Sequence, residues 1–310
     1  MRRHLEFQNY FIGCHETETD NIDPRLTRDG GKTHFVLPAF FECLYQLEQS
    51  QRDYSLVLRT YGTDLPSVAD AIHAFAEGKH PLYPSYVNDT LRLPKENMFR
   101  GRYNQSQSFY KIDKSGEFDY DAAAAAENND KTAMKSSYQL FEWTGEGEDV
   151  SDDSQLGRVV AQDDLEILSI LEKPSMVANR SNGCTNRHEK VFAIHDDYFT
   201  WSQNKHNPMY GKPLWIHYQD NTTDDELPPL HIFFDDNIKN NPSDSIVSVR
   251  CQSCSEEKTF WTLSGEEIQS LHGRYFVRVP TYLPILQRNW FLEQIYKCER
   301  SVASNPHFFT

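Results

Sequence analysis

Short apolar runs that stop at polar clusters constrain this chain more than any other feature. Residues 54–58 stop at Arg59-Thr60, 191–194 at His195-Asp196-Asp197, and 231–234 at Asp235-Asp236-Asn237. Runs this short, rich in β-branched and aromatic residues, predict buried strands. Helical spacing lies between them. Val36, Phe40, Phe41, Leu44, Tyr45 and Leu47 predict a helix over 36–49, with Pro38 in its first turn. Val68, Ile72 and Phe75 predict a second, with Asp64 placed to cap it and Gly78 to end it. Further strands are expected at 10–14, 212–218, 245–249 and 275–279. A short helix is expected over 264–271, opened by Ser264 and Glu267, and a closing helix over 285–298. Strands that alternate with helices predict a three-layer α/β/α, Rossmann-like sandwich with a mostly parallel sheet. In such sheets, sites gather outside the carboxyl ends of the strands, where the three polar clusters fall.

The chain has 310 residues and a formal net charge of −15. Its length allows one large domain with a real core. The acidity argues against nucleic acid and against an anionic membrane surface as partners. No apolar stretch approaches the roughly 18 to 20 residues of a membrane span. The first thirteen residues lack a signal-like apolar region, and six cysteines are too sparse for a disulfide scaffold, so a soluble cytoplasmic protein is expected. The charge is localised. Residues 113–166 hold fifteen acids and four bases, a net of −11, leaving −4 for the rest. We therefore expect a discontinuous core at 1–82 and 181–310. Residues 83–180 read as an acidic, partly disordered or cap-like insertion.

The strand-end clusters have a shared chemistry. Adjacent carboxylates such as Asp235 and Asp236 are costly at a buried strand end unless paired or bound to a cation, and hard oxygen ligands suit Mg²⁺. The Thr60 hydroxyl can donate to a phosphate oxygen. Lys212 can neutralise charge on the phosphate or on a carboxylate. Together these parts suit metal-assisted phosphoryl transfer on a small phosphorylated molecule.

On these residues the sequence resembles the haloacid-dehalogenase-like (HAD-like) hydrolases, and one eukaryotic branch of them in particular. The resemblance rests on the run from Leu58 to Val68, on Gly78-Lys79-His80-Pro81, and on the run from His231 to Ile238, and it covers about half the chain. It implies a Mg²⁺-dependent phosphatase with Thr60 and Lys212 as catalytic side chains and Lys205 as the alternative lysine. It further implies Arg59, Thr60 and Asn237 against substrate, and Asp235 and Asp236 as metal ligands. The family's nucleophile is the first Asp of a D-x-D pattern that ends the first strand. Here residues 10–14 are followed by His15-Glu16-Thr17, and Asp20 and Asp23 have the wrong spacing. Either the true first strand is missing from this sequence or the nucleophile has been lost, which closes the covalent route. A catalytically inactive binding protein of the same fold is the alternative.

Other signals are weaker. Gly30-Gly31-Lys32-Thr33 lacks the earlier glycine of a phosphate loop, since position 26 is Leu. Cys251-x-x-Cys254 with Cys184 and His188 has zinc-like spacing, against a plain pair of free thiols. His195-Asp196-Asp197 reads as a second metal candidate or, more simply, as a helix cap. His34, His80 and His231 read as structural histidines. The sequons at Asn179 and Asn221 carry little weight without a signal peptide.

Overall fold

A computed structural model describes residues 22–28, 33–103, 138–143, 158–172, 190–217, 229–239, 245–252, 260–263 and 265–304. The expected strand at 10–14, the Gly30-Gly31 turn, Ser264, Cys184, His188, Cys254 and both sequons lie outside these residues. In chain order the elements begin with β1 (Thr27–Arg28), β2 (Thr33–His34), α1 (Pro38–Gln49), β3 (Leu56–Thr60) and α2 (Leu65–Ala76). Next come β4 (Met98–Tyr103), β5 (Tyr138–Glu142), β6 (Val159–Ala161), α3 (Asp164–Leu171), β7 (Val191–His195), α4 (Tyr198–Gln203) and β8 (Lys212–Ile216). The rest are β9 (Phe233–Asp235), β10 (Val247–Gln252), β11 (Phe260–Thr262), α5 (Gly265–Ser270), β12 (Phe276–Arg278), α6 (Leu283–Leu286) and α7 (Trp290–Ser304). The chain is a mixed α/β protein. It divides into two compact units. The first comprises Met1–Met98, Leu171–His195 and Val279–Tyr296, and the second comprises the remainder.

In the first unit, α1 buries Ala39, Phe41, Cys43, Leu44 and Leu47, whereas Val36, Phe40 and Tyr45 of the expected apolar set are half-buried. Pro38 opens the helix, where its missing N–H has no helical partner to lose. Helix α2 buries Leu65, Ala69, Ala71, Ile72, Ala74, Phe75 and Ala76. Gly78 takes φ +73°, and the Lys79 N–H reaches the Ala74 carbonyl at 2.9 Å, which closes the helix end. Phe41 meets Phe75 at 5.0 Å and His80 at 4.7 Å between ring centroids, so α1 and α2 share an aromatic core. Arg25 bridges Asp23 at 2.8 Å and Glu77 at 2.7 Å, which ties the turn at Pro24–Leu26 to the end of α2. Strands β3 and β7 pair in parallel, from Leu56↔Val191 to Thr60↔His195. The expected closing helix is two helices. Gln287 is extended, at φ −121° and ψ 103°, so the hydrogen-bond ladder stops there and α7 begins at Trp290.

The second unit holds mixed sheets. Strands β8 and β10 pair in parallel from Lys212↔Val247 to Ile216↔Cys251, and β11 adds to β10 antiparallel. Strands β9 and β12 form a separate parallel pair, while β4, β5 and β6 run antiparallel. The mostly parallel sheet expected from alternation therefore holds only for some pairs. Antiparallel strands appear inside the acidic segment, where flanking charges mask the buried positions. Tyr138, Leu140 and Phe141 of β5 are buried. Asp163 and Glu166 open α3 reciprocally: Asp163 accepts the Glu166 N–H at 2.9 Å, and Glu166 accepts the Gln162 N–H at 2.7 Å. Among the described residues, no helix is long and apolar enough to cross a membrane.

Candidate functional site

Lys212 begins β8 at a point where the backbone is tightly packed. Its N–H donates to the Ile246 carbonyl at 2.6 Å. A Cβ at the preceding Gly211 would lie 2.4 Å from that same oxygen, so only glycine lets the two segments approach this closely. The Lys212 side chain is thereby fixed at its root and 94% removed from solvent. Its Nζ donates to Asp235 Oδ2 at 2.9 Å, and the Asp235 side chain is only 9% exposed. A buried ammonium needs such a partner, because an unpaired charge at this depth would cost several kcal/mol, about 3 to 5 in comparable cases.

Asp235 ends β9, between buried Phe233 and buried Ile238. The chain turns between these two anchors, and the turn leaves Asp236 and Asn237 exposed. Asp235 Oδ1 accepts the Asn237 N–H at 2.8 Å, the usual geometry of an Asx turn. Asp236 Oδ1 accepts from the Asn237 amide nitrogen at 3.0 Å. Four expected site residues are thus brought together: Lys212, Asp235, Asp236 and Asn237. The sequence placed Lys212 at a strand start and the acids at a strand end, and the 2.9 Å contact supplies the relation between them. Lys205, the alternative lysine, lies in the turn after α4 with φ +55°.

Asp235 and Asp236 offer oxygen donors of the type that Mg²⁺ accepts. Each Asp235 oxygen already takes one hydrogen bond and retains a second lone pair. The donor chemistry therefore fits a hard divalent cation, with water and ligand oxygens filling the other positions.

Arg59 and Thr60 belong to the first unit. Thr60 ends β3, in register with His195 at the end of β7. The Thr60 hydroxyl donates to Asp64 Oδ1 at 2.8 Å and accepts the Gly62 N–H at 2.8 Å. Asp64 was expected to cap α2. It occupies the cap position, but its side chain makes no capping bond and takes the Thr60 hydroxyl instead. The cause is local: Asp64 has αR backbone angles, whereas a capping residue is normally extended.

The third cluster is structural. Asp197 caps α4, accepting the Thr200 N–H at 3.0 Å and the Thr200 hydroxyl at 2.7 Å. Its second oxygen also accepts the Tyr103 N–H at 3.0 Å. Asp196 is buried and accepts the Tyr138 hydroxyl at 2.6 Å. Cys251 is buried in β10 and forms no disulfide among the described residues. Sequence reasoning missed Asp164, which is buried and accepts from Arg250 at 2.8 Å and from the Trp215 indole at 2.7 Å. The signal for a structural acid was present, since Asp163-Asp164 directly precedes an apolar helical run. Compared with family models, curated proteins and solved structures, the chain matches none.

Proposed function

We propose that this chain is a HAD-like, Mg²⁺-dependent phosphatase-type hydrolase acting on a small phosphorylated molecule, built on a three-layer Rossmann-like sandwich. The observation that carries the reading is the buried Lys212–Asp235 pair with Asp236 and Asn237 open beside it. A lysine held at a strand-end carboxylate is suited to a phosphoryl group, because its charge is preorganised and needs no reorientation when negative charge builds up. Lys212 holds Asp235 in a fixed orientation through the 2.9 Å contact. Asp235 and Asp236 would hold Mg²⁺, which when bound neutralises charge on the phosphate. Asn237 would donate to an oxygen of the bound molecule.

A second reading, a non-catalytic binding protein of this fold, has its own support. The Thr60 hydroxyl is engaged by Asp64, and the segment after residues 10–14 carries no D-x-D. An assay separates the two. The full chain is given a generic aryl phosphate with Mg²⁺, beside an Asp236→Ala variant. Asp236 is chosen because removing Asp235 would strand a buried lysine. The hydrolase reading expects turnover that falls at least about 100-fold in the variant. Equal rates in both chains would end it. No turnover together with a Mg²⁺-dependent rise in melting temperature would favour the binding reading.

A further inference from the structure

We propose that His217 and His231 form a binding site for a late first-row divalent metal, with Zn²⁺ as the natural occupant. His217 directly follows β8, and His231 lies two residues before β9. Their ring centroids are 5.6 Å apart with the planes tilted by 59°, so the rings do not stack. Their ligand nitrogens lie within 4.8 Å of each other. Two nitrogens on a tetrahedral Zn²⁺ at ordinary bond lengths sit about 3.3 Å apart, so a small rotation of either ring suffices. Both residues are half-buried, which leaves the metal a path to solvent.

Gln252 makes the arrangement more than a chance pairing. Its Oε1 lies 3.0 Å from His217 Nδ1. The parallel register of β8 and β10 ends at Ile216↔Cys251, so His217 and Gln252 are the next residues along two adjacent strands. With the ring proton on Nδ1 donated to this amide oxygen, Nε2 is the nitrogen that would ligate a metal. This is the role that outer partners of metal-bound histidines commonly play. Imidazole nitrogen favours Zn²⁺ and its neighbours over Mg²⁺, so this site and the carboxylates at Asp235 differ in the metal they select.

The two sites are also separate in space. Lys212 meets Asp235, while His217 meets His231. The segments 212–217 and 231–235 therefore run in opposite directions, with the ion pair at one end and the imidazole pair at the other.

The test titrates Zn²⁺ into the chelator-treated full chain by calorimetry and records the spectrum of the Co²⁺ adduct. One ion per chain is expected, with a Co²⁺ spectrum of nitrogen and oxygen ligands. His217→Ala and His231→Ala should each weaken binding at least about 10-fold, and Gln252→Ala by about 10-fold. Gln252→Glu should restore affinity, because a carboxylate orients the ring equally well; a merely structural role for Gln252 would not predict that rescue. Metal-free melting temperatures show whether each variant folds, and the Co²⁺ spectrum of the unaltered chain tests the proposal even where a variant does not. Unchanged affinity in both histidine variants would overturn it. An intense thiolate-to-Co²⁺ band would also overturn it, by assigning the metal to cysteine.

Discussion

Arg250 in the second unit and His80 in the first are both fully buried and both titratable, yet their surroundings are opposite. Arg250 donates to Asp164 at 2.8 Å and lies 5.6 Å from the Tyr103 ring centroid and 5.9 Å from that of Tyr138. Burial works to lower its pKa, but Asp164 and Tyr103 outweigh burial and raise it, so the charge is kept. His80 sits among Phe41, Phe75 and Tyr83, with His34 stacked at 6.0 Å. No anion is among these ring neighbours. Burial, with smaller contributions from His34 and Arg288, pushes its pKa down to about 3. Its Nδ1 accepts the Leu82 N–H at 3.2 Å, which suits the neutral ring. A buried group retains its charge where a counter-charge has been built beside it, and gives the charge up where none has.

The largest expected effect comes from breaking the paired case. Arg250→Met should cost about 3 to 5 kcal/mol in a urea melt, because Asp164 is left as an uncompensated buried carboxylate. Adding Asp164→Asn should recover part of that loss, since the stranded charge is then removed as well. A single-variant loss below about 1 kcal/mol would mean that the pair is solvated, and the contrast with His80 would collapse.

The unpaired case is read by pH. A histidine with an unfolded pKa near 6.5 and a folded pKa of about 3 takes up its proton more readily when unfolded. Its contribution to stability is therefore complete above about pH 6.5. It declines as the pH falls and levels off near pH 3. At pH 5 the loss is about 2 kcal/mol, at 1.36 kcal/mol for each pH unit below 6.5. His80→Asn keeps an acceptor for the Leu82 N–H but cannot take up the proton. The difference in stability between the parent chain and this variant should thus shift by about 2 kcal/mol between pH 7 and pH 5. A pH-independent difference would show that the His80 ring reaches water.

Much of this organisation was legible in the sequence. The helix over 36–49 was read from apolar spacing, and α1 begins two residues later than expected, at Pro38. Strands at 54–58 and 231–234 were read from short apolar runs; β3 and β9 each begin two residues later and take in Thr60 and Asp235. Capping by Asp197 was read from Asp following a strand. What stayed hidden depended on distant partners. Lys212 and Asp235 are 23 residues apart, and Asp164 and Arg250 are 86 apart; no local pattern encodes either contact. Strands β5 and β6 were concealed because the composition of the acidic segment outweighs the few buried positions within it, and β4 because Arg100, Gly101 and Arg102 interrupt its apolar run. Pairing direction was hidden too, since it depends on which strands meet and not on the residues of either one.

The smallest expected effect on stability falls on the residue that matters most to the proposed site. Asp235 and Asp236 are neighbours in sequence but differ as Arg250 and His80 do, through what burial demands of them. Asp235 balances a buried lysine, and Asp236 sits exposed on the turn. Asp235→Asn should therefore cost about 3 kcal/mol in a urea melt, because it leaves the Lys212 charge unbalanced. Asp236→Asn should cost no more than about 0.5 kcal/mol, the usual range for an exposed position. If Asp236 is a metal ligand, the same variant should also lose any Mg²⁺-dependent rise in melting temperature, since cation binding to the folded chain is what produces that rise. A large loss of stability in Asp236→Asn would instead mean that the carboxylate maintains the turn through Asn237, and the fold alone would then explain why two acids stand at the end of β9.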